Sequence, residues 1–435
     1  MIEKNNIDFH KTGREMYNLM KELFPICRSI TGDGVRDTLK IIKKSIPLKI
    51  IEVPSGTQVF DWTIPKEWNI HDAYIKDPAG KRVIDFKKSN LHVMGYSIPV
   101  SKKISLNELK KHIHTLEKYP DWIPYLTTYY HENWGFCMTH NHMNALVPGD
   151  YEIKIDSSLK DGSLSYGEYY LKGKSDDEVL LSTYLCHPSL CNDNLSGVVL
   201  LTYLAQFLKG KKLNYSYRFL FIPETIGAIT WLSRNEKHVA QIKYGLVITC
   251  VGDSGILTYK KSRDGNNIID KIVEKVLEDS GELYNIFDFF PSGSDERQFC
   301  SPGFNLPIGS LMRTPYGQFP QYHTSADNLD FISVNHLSES LEKYIEIISV
   351  IENNVTYVNL NPKCEPQLGR RGLYQMIGGG NKESYIDELA FLWVLNFSDG
   401  TNSLIDIAVR SKRSFKIIKR AADELEKSGL LMLKE

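Results

Sequence analysis

Residues 180–208, LLSTYLCHPSLCNDNLSGVVLLTYLAQFL, hold a histidine, His187, and a carboxylate, Asp193, in one short polar stretch. A neutral imidazole and a carboxylate are zinc-type ligands. A plainer reading stands beside that one, in which His187 hydrogen-bonds locally and Asp193 with Asn194 caps a helix. Further along, Glu224 follows the apolar run YRFLFIP, Asp295 lies in SGSDERQF, and His323 lies in QYHTSADNLDFI. Taken alone, a glutamate after such a run is an ordinary helix-start charge, because negative side chains suit helix N-termini. The order His, Asp, Glu, Asp, His, read as one set, carries more than any member. His140 and His142 with Cys137 are a further candidate group, but no second ligand pair at zinc-finger spacing accompanies them. They read as surface and hairpin residues.

The elements that must position the set follow from periodicity. Residues 179–186 are apolar with β-branched and aromatic members. The run breaks at His187 and Pro188, and a helical pattern resumes after Ser196 and Gly197, so the chemistry sits in a loop between a buried strand and a helix. Open α/β sheets put their sites at the carboxyl ends of such strands. SYGEYYLKG and DEVLLSTYLC, joined by KSDD, read as a hairpin. After them strands (YSYRFLFIP, YGLVITCVG, residues 303–312) alternate with helices (residues 225–234, NNIIDKIVEKVLEDSG with a glycine stop at Gly281, residues 333–352). That alternation argues an α/β sandwich with a largely parallel sheet.

Ahead of this lie a helix with Met16, Leu19, Met20, Leu23 and Phe24 at helical spacing, the break RSITGDG, a helix over 35–44 and a strand over 49–53. In the break Gly32 and Gly34 flank Asp33, with Arg28 and Arg36 close by, as ordinary turn residues do. From 58 to 156 short runs rich in Trp, Tyr, Val and Ile alternate with charged turns, interrupted by one helix over 106–116, which marks a small β-rich insertion. Residues 1–57 and 157–360 are then the core, 58–156 the insertion, and 361–435 a linker with a terminal module. In that module YIDELAFLWVLNF, SLIDIAVRS and SFKIIKRAADELEKSG give three helices and LLMLKE a strand, the pattern of a winged helix.

With 435 residues the chain has room for more than one domain. Its 52 Lys and Arg nearly balance 53 Asp and Glu, so no global charge drives it onto nucleic acid or a membrane. No run approaches a bilayer span, and the start lacks the apolar core of a secretory signal. Seven cysteines in such a chain fit reduced thiols, so a cytoplasmic protein is expected.

The phrases CNDNLSG, PETIG, SDERQF and YHTSADNLD, in that order, resemble the zinc aminopeptidases of the aminopeptidase Y and glutaminyl cyclase clan. RSITGDG, CHPSLCNDN and YHTSADNLD resemble more closely the bacterial aminopeptidase-like proteins encoded with polysaccharide-biosynthesis genes. The resemblance implies a zinc-exopeptidase-like three-layer α/β sandwich, an inserted domain and a C-terminal winged helix. Residue by residue it puts His187 on the first metal ligand, Asp193 on the bridging carboxylate, His323 on the last ligand histidine and Glu224 on the general base. Asp295 falls on an aspartate that is no ligand in the relatives; orienting a neighbouring group, binding a substrate amine and a structural role all stay open for it. Two acids of the two-zinc pattern are missing: Thr225 follows Glu224, and Thr249 and Cys250 stand where the next strand should end in one. The surviving set, His187, Asp193 and His323, suits a single zinc with water in its fourth position.

Arg313, Tyr316 and Tyr322 are the residues expected to line a substrate pocket, with aromatic packing as the alternative for the tyrosines. The implied activity is that of a metal-dependent hydrolase, an aminopeptidase or amidase for a small amino-acyl or amino-sugar compound or a peptide. A second reading makes the protein a decayed peptidase that binds nucleic acid or serves as a scaffold. Lys412, Arg413, Lys416, Lys419 and Arg420 at the third helix of the winged module suit DNA. Asp423, Glu424 and Glu426 follow at once, which favours a solvated face and a protein-interaction or dimerisation module. Nucleic acid is thus not the favoured partner, no membrane is expected, and a homo-oligomer is left open.

Overall fold

The central strand of the molecule, Glu178–Tyr184, is buried at every residue. Strands apolar on both faces belong in the middle of a covered sheet, and here Ser216–Ile222 and Ile242–Ile248 run parallel to it on either side. Ile308–Met312 continues the parallel set beyond Ile242–Ile248. The antiparallel strands Ser163–Leu171 and Lys49–Pro54 extend one side, and Leu257–Lys260 the other. The structure, a computed structural model, describes residues 7–373 and 388–434. Residues 374–387, which include part of the expected linker and the start of the first winged-module helix, lie outside them.

The hairpin expected from SYGEYYLKG and DEVLLSTYLC does not form. Ser216–Ile222 lies between those two strands, antiparallel to the first and parallel to the second. The helix Ser196–Leu208 gives the chain the length of crossover that a parallel return needs. The almost wholly buried SYRFLFI segment thereby gains an interior place. That helix approaches the sheet closely: a Cβ on Gly197 would stand 2.2 Å from the Ile248 carbonyl oxygen.

The described chain falls into two compact units, residues 7–265 with 287–342, and residues 266–286 with those from 343 onward, the boundary lying inside helix Val334–Asn353. The larger unit begins with helices Phe9–Leu23 and Asp33–Lys43. Gly32 between them has φ 95°, and a Cβ there would meet the Trp68 carbonyl oxygen at 2.1 Å, so both conformation and space require glycine. This unit also holds a four-stranded antiparallel sheet in the order Arg82–Asp85, Glu67–Lys76, Asp150–Lys160, Val100–Ser105. The helix expected over 106–116 is shorter, one α-turn over Leu106–Leu109 followed by a 3-10 turn over Lys110–His112. Ile113 and His114 leave it to pair with Phe136 and Cys137, because a β-branched residue followed by a histidine gives little support to a continuing helix.

In the smaller unit, helices Glu388–Phe397, Leu404–Ser411 and Phe415–Lys427 stand with a sheet of Asp399–Ser403, Thr356–Asn359 and Leu431–Leu433, a winged-helix arrangement. Ser403 and Asp406 form a capping box. Helix Ile268–Ser280 joins this unit through the Lys271–Asp406 ion pair (2.9 Å) and through Asp279, which accepts from the Phe415 N–H (2.9 Å).

Candidate metal centre and its cavity

His187 comes from the loop beyond strand Glu178–Tyr184, and Asp193 from the turn Cys191–Leu195 that precedes helix Ser196–Leu208. Asn194 turns the chain there with φ 134°, its side-chain amide donating to the Tyr184 carbonyl at 2.9 Å. Asp327 clamps the same turn: its carboxylate accepts from the N–H groups of Asn192 (2.6 Å) and Asp193 (2.9 Å), and its carbonyl from that of Cys191 (3.0 Å). Arg28, from the RSITGDG break, is buried beneath His187 and donates from Nε to its carbonyl at 3.1 Å. His323 has φ 55° and stacks on Tyr322, with ring centroids 3.9 Å apart and planes 11° apart. Its carbonyl accepts from the Tyr125 N–H at 2.8 Å.

Glu224 follows strand Ser216–Ile222, and Thr225, at φ 63°, turns the chain into helix Ile226–Asn235. Asp295 holds that corner by accepting from the Thr225 N–H at 2.6 Å, and Arg297 donates to the Thr225 hydroxyl at 2.9 Å. Thr225 is thereby engaged with the SDER segment.

These elements bring His187, Asp193 and His323 together, with one ligand atom of each inside a 4.8 Å group. Asp193 Oδ2 lies 2.9 Å from His323 Nε2 and 4.0 Å from His187 Nε2, and Glu224 Oε2 lies 3.8 Å from His187 Nε2. Asp193 Oδ2 and His323 Nε2 are both buried, and beyond this mutual contact neither has a hydrogen-bond partner among the described residues. A carboxylate oxygen and an imidazole nitrogen facing each other in this way are two lone-pair donors that a cation between them would engage. Cys186, His187 and Glu224 form a second such group. Burial pushes the Cys186 thiol well up, which disfavours the thiolate that binds metal. The imidazole and carboxylate group fits zinc better. His140, His142 and Cys137 form no such group among the described residues.

The protonation states agree with that fit. Burial lowers His187 to about 4, outweighing the attraction of Asp193, so at neutral pH it is the neutral imidazole, the form able to ligate a metal. Burial alone would raise Asp193, but His187, His323 and the Tyr184 hydroxyl bring it below its ordinary value. Glu224 is driven well above the usual carboxylate range, first by burial and then by Asp295 and Asp193. Asp295 is raised to about 7 by burial. A cation beside Glu224 would offset the repulsion it meets from Asp295 and Asp193.

Glu224 also lies on a cavity of about 180 Å³ formed with Ile30, Trp62, Tyr129, Tyr130, Cys186, Thr225 and Ile226. Trp62 and Tyr130 meet edge to face with centroids 5.5 Å apart, and both remain more than a third exposed. A cavity of about 200 Å³ among Phe24, Lys87, Asn90 and Ser189 holds none of the candidate residues. Of the residues expected to bind substrate, Tyr322 lies against His323. Arg313 is buried, its guanidinium engaged by Ser340, the Gly255 and His336 carbonyls and Glu339. Tyr316 donates to Glu296 (2.8 Å) and accepts from Lys260 (3.1 Å), inside a buried lysine–glutamate pair. Sequence reasoning missed Arg28, Tyr125, Tyr184 and Asp327, and the walls Ile30, Trp62, Tyr129 and Tyr130. Only Arg28 and Asp327 carried a signal, each lying inside a motif phrase.

A protein of Clostridium acetobutylicum named "Putative polysaccharide biosynthesis protein with aminopeptidase-like domain" is 62% identical over 423 residues, 97% of each chain. A crystal structure of a "putative peptidase" from the same organism superposes with a TM-score of 0.93 at 59% identity, covering 98% of each chain. BSAP, a zinc aminopeptidase from Bacillus subtilis, has a TM-score of 0.56 at 13% identity over 78% of this chain and 94% of its own, a likeness of fold. The architecture is therefore the aminopeptidase-like α/β fold. The family model for a winged helix-turn-helix matches residues 355–433. That for the domain of unknown function DUF4910 matches residues 17–354, and it is to this DUF4910 family that the chain belongs.

Proposed function

We propose that this protein is a cytoplasmic metal-dependent hydrolase of aminopeptidase type, cleaving the amide bond of a small amino-acyl, peptide or amino-sugar substrate. The observation that carries the reading is the meeting of His187, Asp193 and His323, with Asp193 Oδ2 and His323 Nε2 facing each other and Glu224 alongside. One zinc per chain would be held by those three side chains. Bound there, it would supply a Lewis acid for the substrate carbonyl and acidify water.

The rest of the chemistry belongs to the chain. Glu224 takes the proton of the attacking water and passes it to the departing amine. Asp295 orients Glu224 by fixing the corner at Thr225. The cavity walls carry no charge other than Glu224, so the group seated there is neutral and offers an apolar or ring face to Trp62 and Tyr130. Tyr322 supports His323, while Arg313 and Tyr316 act by anchoring their loops. The name of the Clostridium acetobutylicum relative, which joins polysaccharide biosynthesis to an aminopeptidase-like domain, favours an amino-acylated or N-acylated sugar. We further propose that residues 58–156 are an insertion into a core of 1–57 and 157–360, with 361–435 the linker and winged module.

The test combines metal analysis of the purified full chain after zinc incubation and desalting with a screen of amino-acyl amides, short peptides and acylated amino sugars. One zinc per chain and turnover of a member of these classes are expected. A chain that takes up no zinc overturns the proposal.

A further inference from the structure

We propose that Tyr184 is a positioning residue that keeps Asp193 a one-oxygen ligand, its phenol closing Oδ1 so that only Oδ2 faces His187 and His323. The inference rests on the metal reading above and concerns how that site is limited. Tyr184 Oη donates to Asp193 Oδ1. It is anchored in turn by Thr249, whose hydroxyl donates to it at 2.7 Å. All three residues are buried, at 1%, 1% and 0% exposure. The phenol has little freedom to leave, because Tyr184 ends the central strand in register with Ile222 and its carbonyl receives the Asn194 amide.

The two oxygens of this carboxylate are thus treated unequally. Oδ1 is occupied by a neutral hydroxyl, and Oδ2 faces His323 Nε2 at 2.9 Å with no further partner among the described residues. An ionised carboxylate has acceptor room on both oxygens, so without Tyr184 it could chelate one ion or reach a second. Thr249, behind the phenol, brings no charge that would draw another cation there. An ion held by one carboxylate oxygen and two imidazoles keeps a position open for water and substrate. Chelation by Oδ1 would crowd that position.

Cobalt(II) reports the difference, since its visible bands are intense in four-coordinate sites and weak in five-coordinate ones. The full chain, stripped and reloaded with cobalt chloride, is compared with Tyr184→Phe and Thr249→Val, cobalt content being measured on each. The parent is expected to hold one cobalt with intense bands, and Tyr184→Phe to hold one with those bands lost. Thr249→Val, which leaves the phenol without its anchor, is expected to fall between them. Unchanged bands in Tyr184→Phe at equal cobalt content overturn the inference and leave the metal reading standing. Should that variant fail to fold, unchanged bands in Thr249→Val have the same force. A parent that takes up no cobalt overturns both.

Discussion

Glu224 stands 3.8 Å from His187 Nε2 and outside the group of His187, Asp193 and His323, which is where the proposal needs a proton carrier to be. Glu224→Gln keeps the shape and removes the basic oxygen. It is expected to retain zinc and fold while turnover falls by about 10²–10⁴, the usual worth of a positioned base. Loss of zinc in that variant would make Glu224 a ligand. His323 is a third exposed, so His323→Ala is expected to abolish zinc uptake with little loss of fold, checked by metal content and circular dichroism. The five acids and histidines could be singled out because each lies in a phrase whose order along the chain is itself informative. Tyr184 could not be, since a tyrosine ending an apolar strand has no local mark of its partner; Asp327 lay inside such a phrase but nothing there pointed to the turn it clamps. For Arg313, a cation near His323 in sequence, the structure adds contacts to Glu339 and Ser340 that only the packed helix supplies.

Among the elements, the strand, loop and helix around Asp193 were legible because apolar periodicity changes sharply at His187 and again at Ser196. The pairing order was not, since adjacency in sequence suggests a hairpin wherever two apolar runs flank a polar turn. What positions the helix is Gly197. Gly197→Ala would press a methyl group onto the Ile248 carbonyl, with an expected loss of about 1–3 kcal/mol, read as a lower urea midpoint at unchanged slope. The 58–156 segment reads as β-rich, and its sheet bears this out; that Trp62, Tyr129 and Tyr130 also wall the cavity beside Glu224 depends on packing that no periodicity encodes. Trp62→Ala is expected to raise KM for a substrate found by the screen with kcat little changed, because it removes a wall and not a reacting group. An unchanged KM would place the substrate elsewhere.

For the molecule as a whole, Arg36 grips Glu67 through paired contacts of 2.8 and 2.5 Å and joins helix Asp33–Lys43 to strand Glu67–Lys76. Hydrogen bonding to Arg36, ahead of the opposing effect of burial, holds Glu67 down to about 2. Its folded value lies below that of an exposed glutamate, about 4.3. The stabilisation is therefore full above that pH and lost as pH falls toward about 2. Replacing Arg36 by Met is expected to remove on the order of 2 kcal/mol of unfolding free energy at pH 7 and much less at pH 2.5. The winged unit carries Lys419 paired with Asp423 on its basic helix. We expect the full chain to give no salt-sensitive shift of duplex DNA at micromolar concentration, and such a shift would revive the reading of a decayed peptidase that binds nucleic acid. The clamp by Asp327 reaches the Asp193 turn across 134 residues of sequence. On a ribosome adding about 5–20 residues per second, His187 and Asp193 are made roughly 7–27 s before that clamp exists. A growing chain thus holds His187 and Asp193 for that interval without His323 or the Asp327 clamp, so the metal group proposed above becomes complete only late in synthesis.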